Sequence, residues 1–128
     1  MKLQQLIAIF GMTALLGCQA SVAVKPPSTP ASAEQVTMIR ESFKSQNPNV
    51  QVGVVADVLA AENLAAVEEV DLTFFHVGDT VCFIDRNTDP LVCGKVVRVS
   101  DTQVHVKYEK PQPGRREPTK GDIAVAFQ

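Results

Sequence analysis

Residues 77–83 (VGDTVCF) and residues 120–127 (KGDIAVAF) share one pattern, and the fold prediction for this chain follows from it. In both, a Gly-Asp pair stands directly before a run of mostly apolar residues, as at the start of a β-strand. Glycine adopts positive φ at no steric cost, and an aspartate in a turn can accept hydrogen bonds from nearby backbone N–H groups. We therefore predict that Gly78-Asp79 and Gly121-Asp122 form equivalent structural turns.

The similarity extends upstream of both turns. Residues 53–58 (GVVADV) resemble residues 94–99 (GKVVRV), and an apolar strand follows each, at 64–67 and at 104–106. The two copies lie 41 residues apart at their first strands and 43 apart at the Gly-Asp pairs. Two copies are too few for a repeat array. Two three-stranded units that close on each other leave no exposed sheet edge, which predicts a small six-stranded pseudo-symmetric barrel.

The duplicated Gly-Asp pair resembles the turn element of small pseudo-symmetric β-barrels, sometimes called a GD box. Over residues 50–127, the spacing of glycines and valines is also similar to that of the barrel-like C-terminal domains of flagellar basal-body assembly T-type proteins and other envelope proteins. The resemblance implies a barrel of the cell envelope. It also raises one specific alternative, a subunit of a flagellar or secretion basal apparatus.

One short α-helix is predicted before the barrel. Ser32 and Gln35 fit a capping box, and apolar residues at 36, 39 and 43 follow at helical spacing. Asn47-Pro48 ends the helix, because the residue before a proline is disfavoured in the α region. The predicted fold is therefore mostly β, with a helix within residues 32–47 and a β-barrel domain over 48–128. Its strands are expected at 50–58, 64–70, 80–85, 91–99, 103–109 and 122–127.

The first 18 residues carry a targeting pattern. After Lys2, the apolar run from Leu3 to Leu16 is shorter than the roughly 20 residues that span a bilayer as a helix, and it fits a secretory signal. Residues 15–18 (LLGC) resemble a bacterial lipobox, in which the cysteine is lipidated and becomes the new N-terminus. We predict a lipoprotein signal peptide at 1–17 and lipidation, including palmitate, at Cys18. The alternative is an ordinary signal with a chance cysteine.

The residues after the lipobox indicate how the protein is tethered and at which membrane. Residues 18–31 contain three prolines and few large apolar side chains, which predicts a disordered tether. Gln19 follows the cysteine, where lipoproteins kept at the inner membrane typically have aspartate. The resemblance to lipoproteins therefore implies an anchor on the periplasmic face of the outer membrane.

Cys82 and Cys93 are predicted to form a disulfide, as a cysteine pair in an exported protein commonly does. A turn centred between residues 87 and 88 would place them opposite each other in a hairpin. Pro90 lacks an N–H and therefore favours a non-hydrogen-bonded site, here opposite Asp85. Because hydrogen-bonded and non-hydrogen-bonded pairs alternate along a hairpin, the cysteines should then form a wider, hydrogen-bonded pair. Reduced core cysteines and a redox or metal role are the alternatives.

Charge is divided unevenly along the chain. The 12 basic side chains against 14 acidic ones give a net charge of −2, which is poorly suited to nucleic acid. Residues 53–89 carry −7 and residues 90–128 carry +3. Arg115, Arg116 and Lys120 cluster in one loop. They form either an ordinary solvated face or a site for an anionic partner, such as lipid headgroups, cell-wall polymer or a protein.

No pattern of catalytic or metal-ligating residues is evident. His76 and His105 have no carboxylate or cysteine at a recognised ligand spacing, and we expect both at the surface. We predict no enzymatic activity, no cofactor and no metal. The expected function is that of a lipid-anchored envelope module that binds or scaffolds an envelope protein or a cell-wall component. A small-ligand-binding or enzymatic barrel is the alternative from another class.

Overall fold

The computed structural model describes residues 30–127. A helix, α1 (Ala33–Gln46), precedes six strands: β1 (Gln51–Leu59), β2 (Leu64–Glu68), β3 (Thr80–Ile84), β4 (Pro90–Val99), β5 (Val104–Tyr108) and β6 (Ile123–Ala126). All neighbouring strands are antiparallel and close into a barrel in the order β1-β2-β5-β4-β3-β6. The predicted fold, a six-stranded barrel preceded by one short helix, is confirmed.

The strand order is unchanged when the two halves are exchanged, β1 for β4, β2 for β5 and β3 for β6. The irregularities obey the same symmetry. The β1–β2 ladder shifts register between Val55 and Asp57, and the β4–β5 ladder shifts between Val96 and Arg98. A β-bulge at the equivalent position bends the strand in the same way in each half. The barrel therefore has a pseudo-two-fold relation between β1–β3 and β4–β6.

Helix α1 forms for the reasons its sequence suggests. The Ser32 Oγ accepts the Gln35 N–H at 3.2 Å, and the Gln35 Oε1 accepts the Ser32 N–H at 2.9 Å, so the capping box is complete. Asn47 has extended backbone angles and ends the helix. Val36 and Ile39 are buried on one face, so this face packs on the barrel.

Apolar side chains are buried in two layers. The barrel interior holds a cluster that includes Val55, Val67, Phe83 and Val106. A second cluster lies outside the barrel, between α1 and the sheet, and consists of Ile39, Val50, Val52, Ile84, Ile123 and Val125. All four residues of β6 are buried because α1 covers the outer face of this strand.

The predicted signal peptide at 1–17, Cys18 and the predicted tether up to residue 29 lie outside the described residues. Pro30 and Ala31 are the last two residues assigned to the predicted tether. The Ala31 N–H donates to the Gly121 carbonyl at 3.3 Å, and the Pro30 ring lies against Gly121. The described part of the chain therefore contacts the barrel from residue 30 onward. Between residues 30 and 127, no helix is long and apolar enough to cross a membrane.

Candidate partner-binding surface

The two Gly-Asp turns connect the halves of the barrel. Gly78 donates its N–H to the Val96 carbonyl at 2.8 Å, and the Val96 N–H donates to the Asp79 carbonyl at 2.8 Å. In the other half, Gly121 and Asp122 make the same pair of bonds with Val55, at 2.9 and 2.8 Å. Each turn thus binds a strand of the opposite half.

Backbone angles and side-chain contacts agree with the predicted turn chemistry. Gly78 and Gly121 have φ of 98° and 92°, the region that favours glycine. The Asp79 carboxylate accepts the N–H of His76 at 2.8 Å, and the Asp122 carboxylate accepts the N–H of Thr119 at 2.7 Å. In both turns the aspartate therefore bonds the residue three positions before it.

The turns differ in what surrounds the aspartates. Asp122 is 2% exposed and binds the Arg116 guanidinium through both oxygens, at 2.6 and 2.9 Å. This bidentate bond raises the pKa of Arg116, and the charges of Asp122 and Asp85 act in the same direction. Asp79 lies in a solvent-exposed turn, where its ion-pair contact within residues 30–127 is a 3.9 Å approach to His76.

Arg116 is therefore buried in an ion pair, and it does not share the exposed surface of Arg115 and Lys120. The side chain is 6% exposed, because closure of the barrel brings Asp122 next to its loop. A buried guanidinium is stabilised only when carboxylate and carbonyl oxygens surround it, and Arg116 also donates to the Glu117 carbonyl at 3.0 Å. Arg115 and Lys120 remain exposed.

Cys82 and Cys93 are disulfide-bonded across β3 and β4. Their Cα atoms are 3.9 Å apart, which places them in the narrow, non-hydrogen-bonded class and not in the wider class expected. The reason is a register shift between Cys82 and Ile84, which sets Pro90 opposite Ile84 and not opposite Asp85. The predicted pairing is correct, and the predicted ladder around it was wrong.

An open groove of about 350 Å³ runs along this disulfide. We call it the disulfide groove. Its floor is largely apolar and includes the disulfide, Ile84, Pro90 and Val92. Polar side chains from the loop after β5 form its rim: Glu109, Lys110, Gln112 and Arg115.

The structure brings only one of the three predicted basic residues to this groove. Arg115 lines the rim, whereas Lys120 is exposed in the second Gly-Asp turn and does not line the groove. Lys110 and Gln112 were missed by the sequence analysis. The excess of positive charge in residues 90–128 includes Lys110, but only the folded loop shows that Lys110 and Arg115 share one rim.

The barrel interior is filled by its own side chains. The space among Val67, Phe75, Val81 and Val104 leaves no room for a water molecule. Tyr108 is buried, packs edge-to-face on Phe83 at 6.2 Å and donates its hydroxyl to Glu117 at 3.3 Å. Burial and the nearby Glu117 carboxylate raise the pKa of Tyr108 to about 12.

The two histidines lie apart from the groove. His76 is exposed, and His105 is half-buried on the outer face of β5, 3.2 Å from the Gln103 amide oxygen. Within residues 30–127, no three side chains of histidine, cysteine, aspartate or glutamate come together as metal ligands would.

A family model described as a domain of unknown function, DUF7205, matches residues 76–125. The matched segment runs from His76, two residues before Gly78, into β6, so it contains both turns, the disulfide and the rim of the groove. No curated protein matches the chain.

Proposed function

We propose that this protein is a lipid-anchored lipoprotein of the cell envelope that binds or scaffolds a partner through the disulfide groove. The observation that carries the proposal is the groove itself. It is the place where a largely apolar floor, a disulfide and two exposed cationic side chains, Lys110 and Arg115, share one surface. An apolar floor with a polar rim is the usual composition of a protein–protein contact.

The filled barrel interior favours binding at the surface over carriage of a small ligand. Barrels that carry a ligand enclose a cavity, whereas small barrels without one are packed with side chains. Here valine and phenylalanine side chains close the interior. A partner of this protein would therefore meet the outside of the barrel.

Envelope location rests on the lipobox pattern at residues 15–18, and the disulfide is consistent with it. Disulfides persist in oxidising compartments such as the bacterial periplasm and are rare in the cytosol. A lipid on Cys18 and a segment of about a dozen residues before the ordered domain would hold the barrel within about 40 Å of a membrane. The periplasmic face of the outer membrane is the location we propose, and an envelope protein or cell-wall component is the partner class.

Lipid anchoring is tested by mass and fractionation. In a bacterium with two membranes, the wild-type protein should fractionate with the outer membrane and carry the mass of acyl chains. The Cys18→Ser variant should lack that mass and be uncleaved or mis-cleaved. Wild-type protein in the soluble fraction without acyl mass would refute the anchor.

Partner binding is tested by photo-crosslinking in cells. A photoreactive residue in place of Val92, in the groove, should yield one defined adduct, and Lys110→Glu with Arg115→Glu should abolish it. The same residue in place of Val97, which is 44% exposed and does not line the groove, is the matched control. The groove is not a binding site if both positions give the same products.

A further inference from the structure

The disulfide groove is the pseudo-symmetric counterpart of a surface that already holds a helix. Val52 pairs with Val125 in the β1–β6 ladder, and Cys93 pairs with Cys82 at the equivalent place in the β4–β3 ladder. Helix α1 covers the valine pair with Ile39. No helix among the described residues covers the cysteine pair, where the groove lies open.

We propose that the disulfide groove binds an acidic amphipathic helix of a partner protein. This inference rests on the proposed function and specifies the class of partner. One half of the barrel shows how its outer face accommodates a helix, with a stripe of apolar residues spaced three and four apart. The other half presents the equivalent face without an occupant from the described part of the chain.

The backbone at the groove favours a helix over an added strand. An added strand needs unpaired N–H and C=O groups at a sheet edge, and the closed barrel has no such edge. At the groove, the Cys93 carbonyl already accepts the Glu109 N–H at 3.1 Å. A helix satisfies its own backbone internally and needs only side-chain contacts, which is what the groove offers.

The charges at the two faces are arranged in opposite ways. At the helix-covered face, α1 supplies the cation, because Arg40 donates to the Val52 carbonyl at 2.8 Å and to the Glu69 carbonyl at 3.2 Å. At the groove, the barrel supplies two cations and one anion, Glu109, so the rim is positive on balance. Lys110 and Arg115 stand exposed on the rim, and neither side chain forms an ion pair within residues 30–127. A helix with carboxylates beside its apolar stripe would complement them.

Three synthetic 14-residue peptides test the inference on the unlipidated mature chain, residues 18–128 with Cys18→Ser. The acidic peptide copies α1 with Arg40→Glu and Lys44→Glu. The basic peptide copies α1 with Glu34→Lys and Glu41→Lys. The third is the acidic peptide with Ile39→Gln and Phe43→Gln, which removes the apolar stripe. Binding is followed by fluorescence anisotropy, and the contact surface by chemical-shift changes.

We expect the acidic peptide alone to bind, with shifts confined to the groove. Lys110→Glu with Arg115→Glu should weaken binding at least about tenfold, equivalent to about 1.4 kcal/mol. Lys120→Glu, a matched change outside the groove, should leave binding unchanged. Equal binding of the basic peptide, insensitivity to the double variant, or no binding at about 1 mM would each overturn the inference. If cells still give the Val92 adduct, only the partner class is wrong and the proposed function stands.

Discussion

The two faces related by the pseudo-two-fold axis are completed in different ways. On one, Val52 and Val125 lie buried under α1, and Arg40 bonds the Val52 carbonyl. On the other, a disulfide occupies the equivalent position, and the backbone N–H of Glu109 bonds the equivalent carbonyl, that of Cys93. The same barrel is thus stabilised on its outside by a packed helix at one face and by a disulfide at the other. The Gly-Asp turns differ in the same manner, one in solvent and one around a buried ion pair.

The largest difference in stability loss between equivalent substitutions in the two halves should appear at the turn aspartates. Asp122→Ala would leave the Arg116 guanidinium buried without its bidentate partner, and should lower the free energy of unfolding by about 3–5 kcal/mol. Asp79→Ala removes mainly the bond from the exposed His76 N–H and should cost about 1 kcal/mol. Urea denaturation measures both.

A double-mutant cycle separates the ion pair from the turn. Arg116→Met combined with Asp122→Ala should be less destabilised than the two single changes added together, because neither member of this ion pair is then left buried without the other. Equal losses for Asp79→Ala and Asp122→Ala would mean that Arg116 contributes nothing to the second turn.

The disulfide should account for the next largest difference. Replacing both Cys82 and Cys93 with valine recreates the pair found at Val52 and Val125. The bridge closes a short loop, so its loss should lower the free energy of unfolding by about 2–3 kcal/mol. The fold should persist, as judged by circular dichroism, because the equivalent ladder has no bridge. Wild-type protein with two free thiols in the mature domain, counted under denaturing, non-reducing conditions, would contradict the bridge itself.

The turn glycines should differ by a smaller amount. Gly78 and Gly121 both have positive φ, so alanine at either position is strained and should cost about 1 kcal/mol. At Gly121 the new Cβ would also meet Pro30, whereas nothing lies near it at Gly78. The loss at Gly121→Ala should therefore reach about 2 kcal/mol. Equal losses in thermal denaturation would show that Pro30 moves away freely.

The smallest expected effect is a pH dependence from Tyr108. A tyrosine ionises near pH 10 in the unfolded chain, but Tyr108 ionises at about 12 in the folded protein. The unfolded state alone loses this proton as pH rises from 10, so the stabilisation is complete below pH 10 and is lost toward pH 12. At pH 11 the loss should be about 1 kcal/mol.

Absorbance near 295 nm reports this ionisation directly, because the chain has one tyrosine and no tryptophan. Tyr108→Phe is the control and should remove the tyrosine contribution to the stability loss. A midpoint near pH 10 in the folded protein would contradict the buried environment of this ring.

The fold was predictable because its signals are local. The period-two pattern and turn residues such as Asn63 and Asn87 define strands to within one or two residues, and the Gly-Asp duplication identifies the symmetry. The pairing of Cys82 with Cys93 could be predicted from the hairpin, but the register of the strands around them could not. The register shift between Cys82 and Ile84 accommodates Pro90, and the pattern of apolar residues does not encode it.

The candidate site was predictable only in part, because it depends on contacts between distant segments. Arg115 and Arg116 are adjacent and chemically identical, yet one lines the groove and the other is buried against Asp122. Composition alone cannot separate them. The groove also requires β3, β4 and the loop after β5 to meet, and the pairing of β4 with both β3 and β5 brings them together.

The pairing of β1 with β6 also makes barrel closure depend on strands that lie far apart in the sequence. The barrel closes only when its last strand, ending at Ala126, reaches β1. Helix α1 is synthesised before the barrel, yet part of its docking surface, Ile123 and Val125, lies in β6, the last of the six strands to be synthesised. Contacts between the ends of a chain form slowly, since the whole loop between them must be ordered. In a protein exported N-terminus first, as we propose for this one, the barrel would close only after β6 had crossed the membrane.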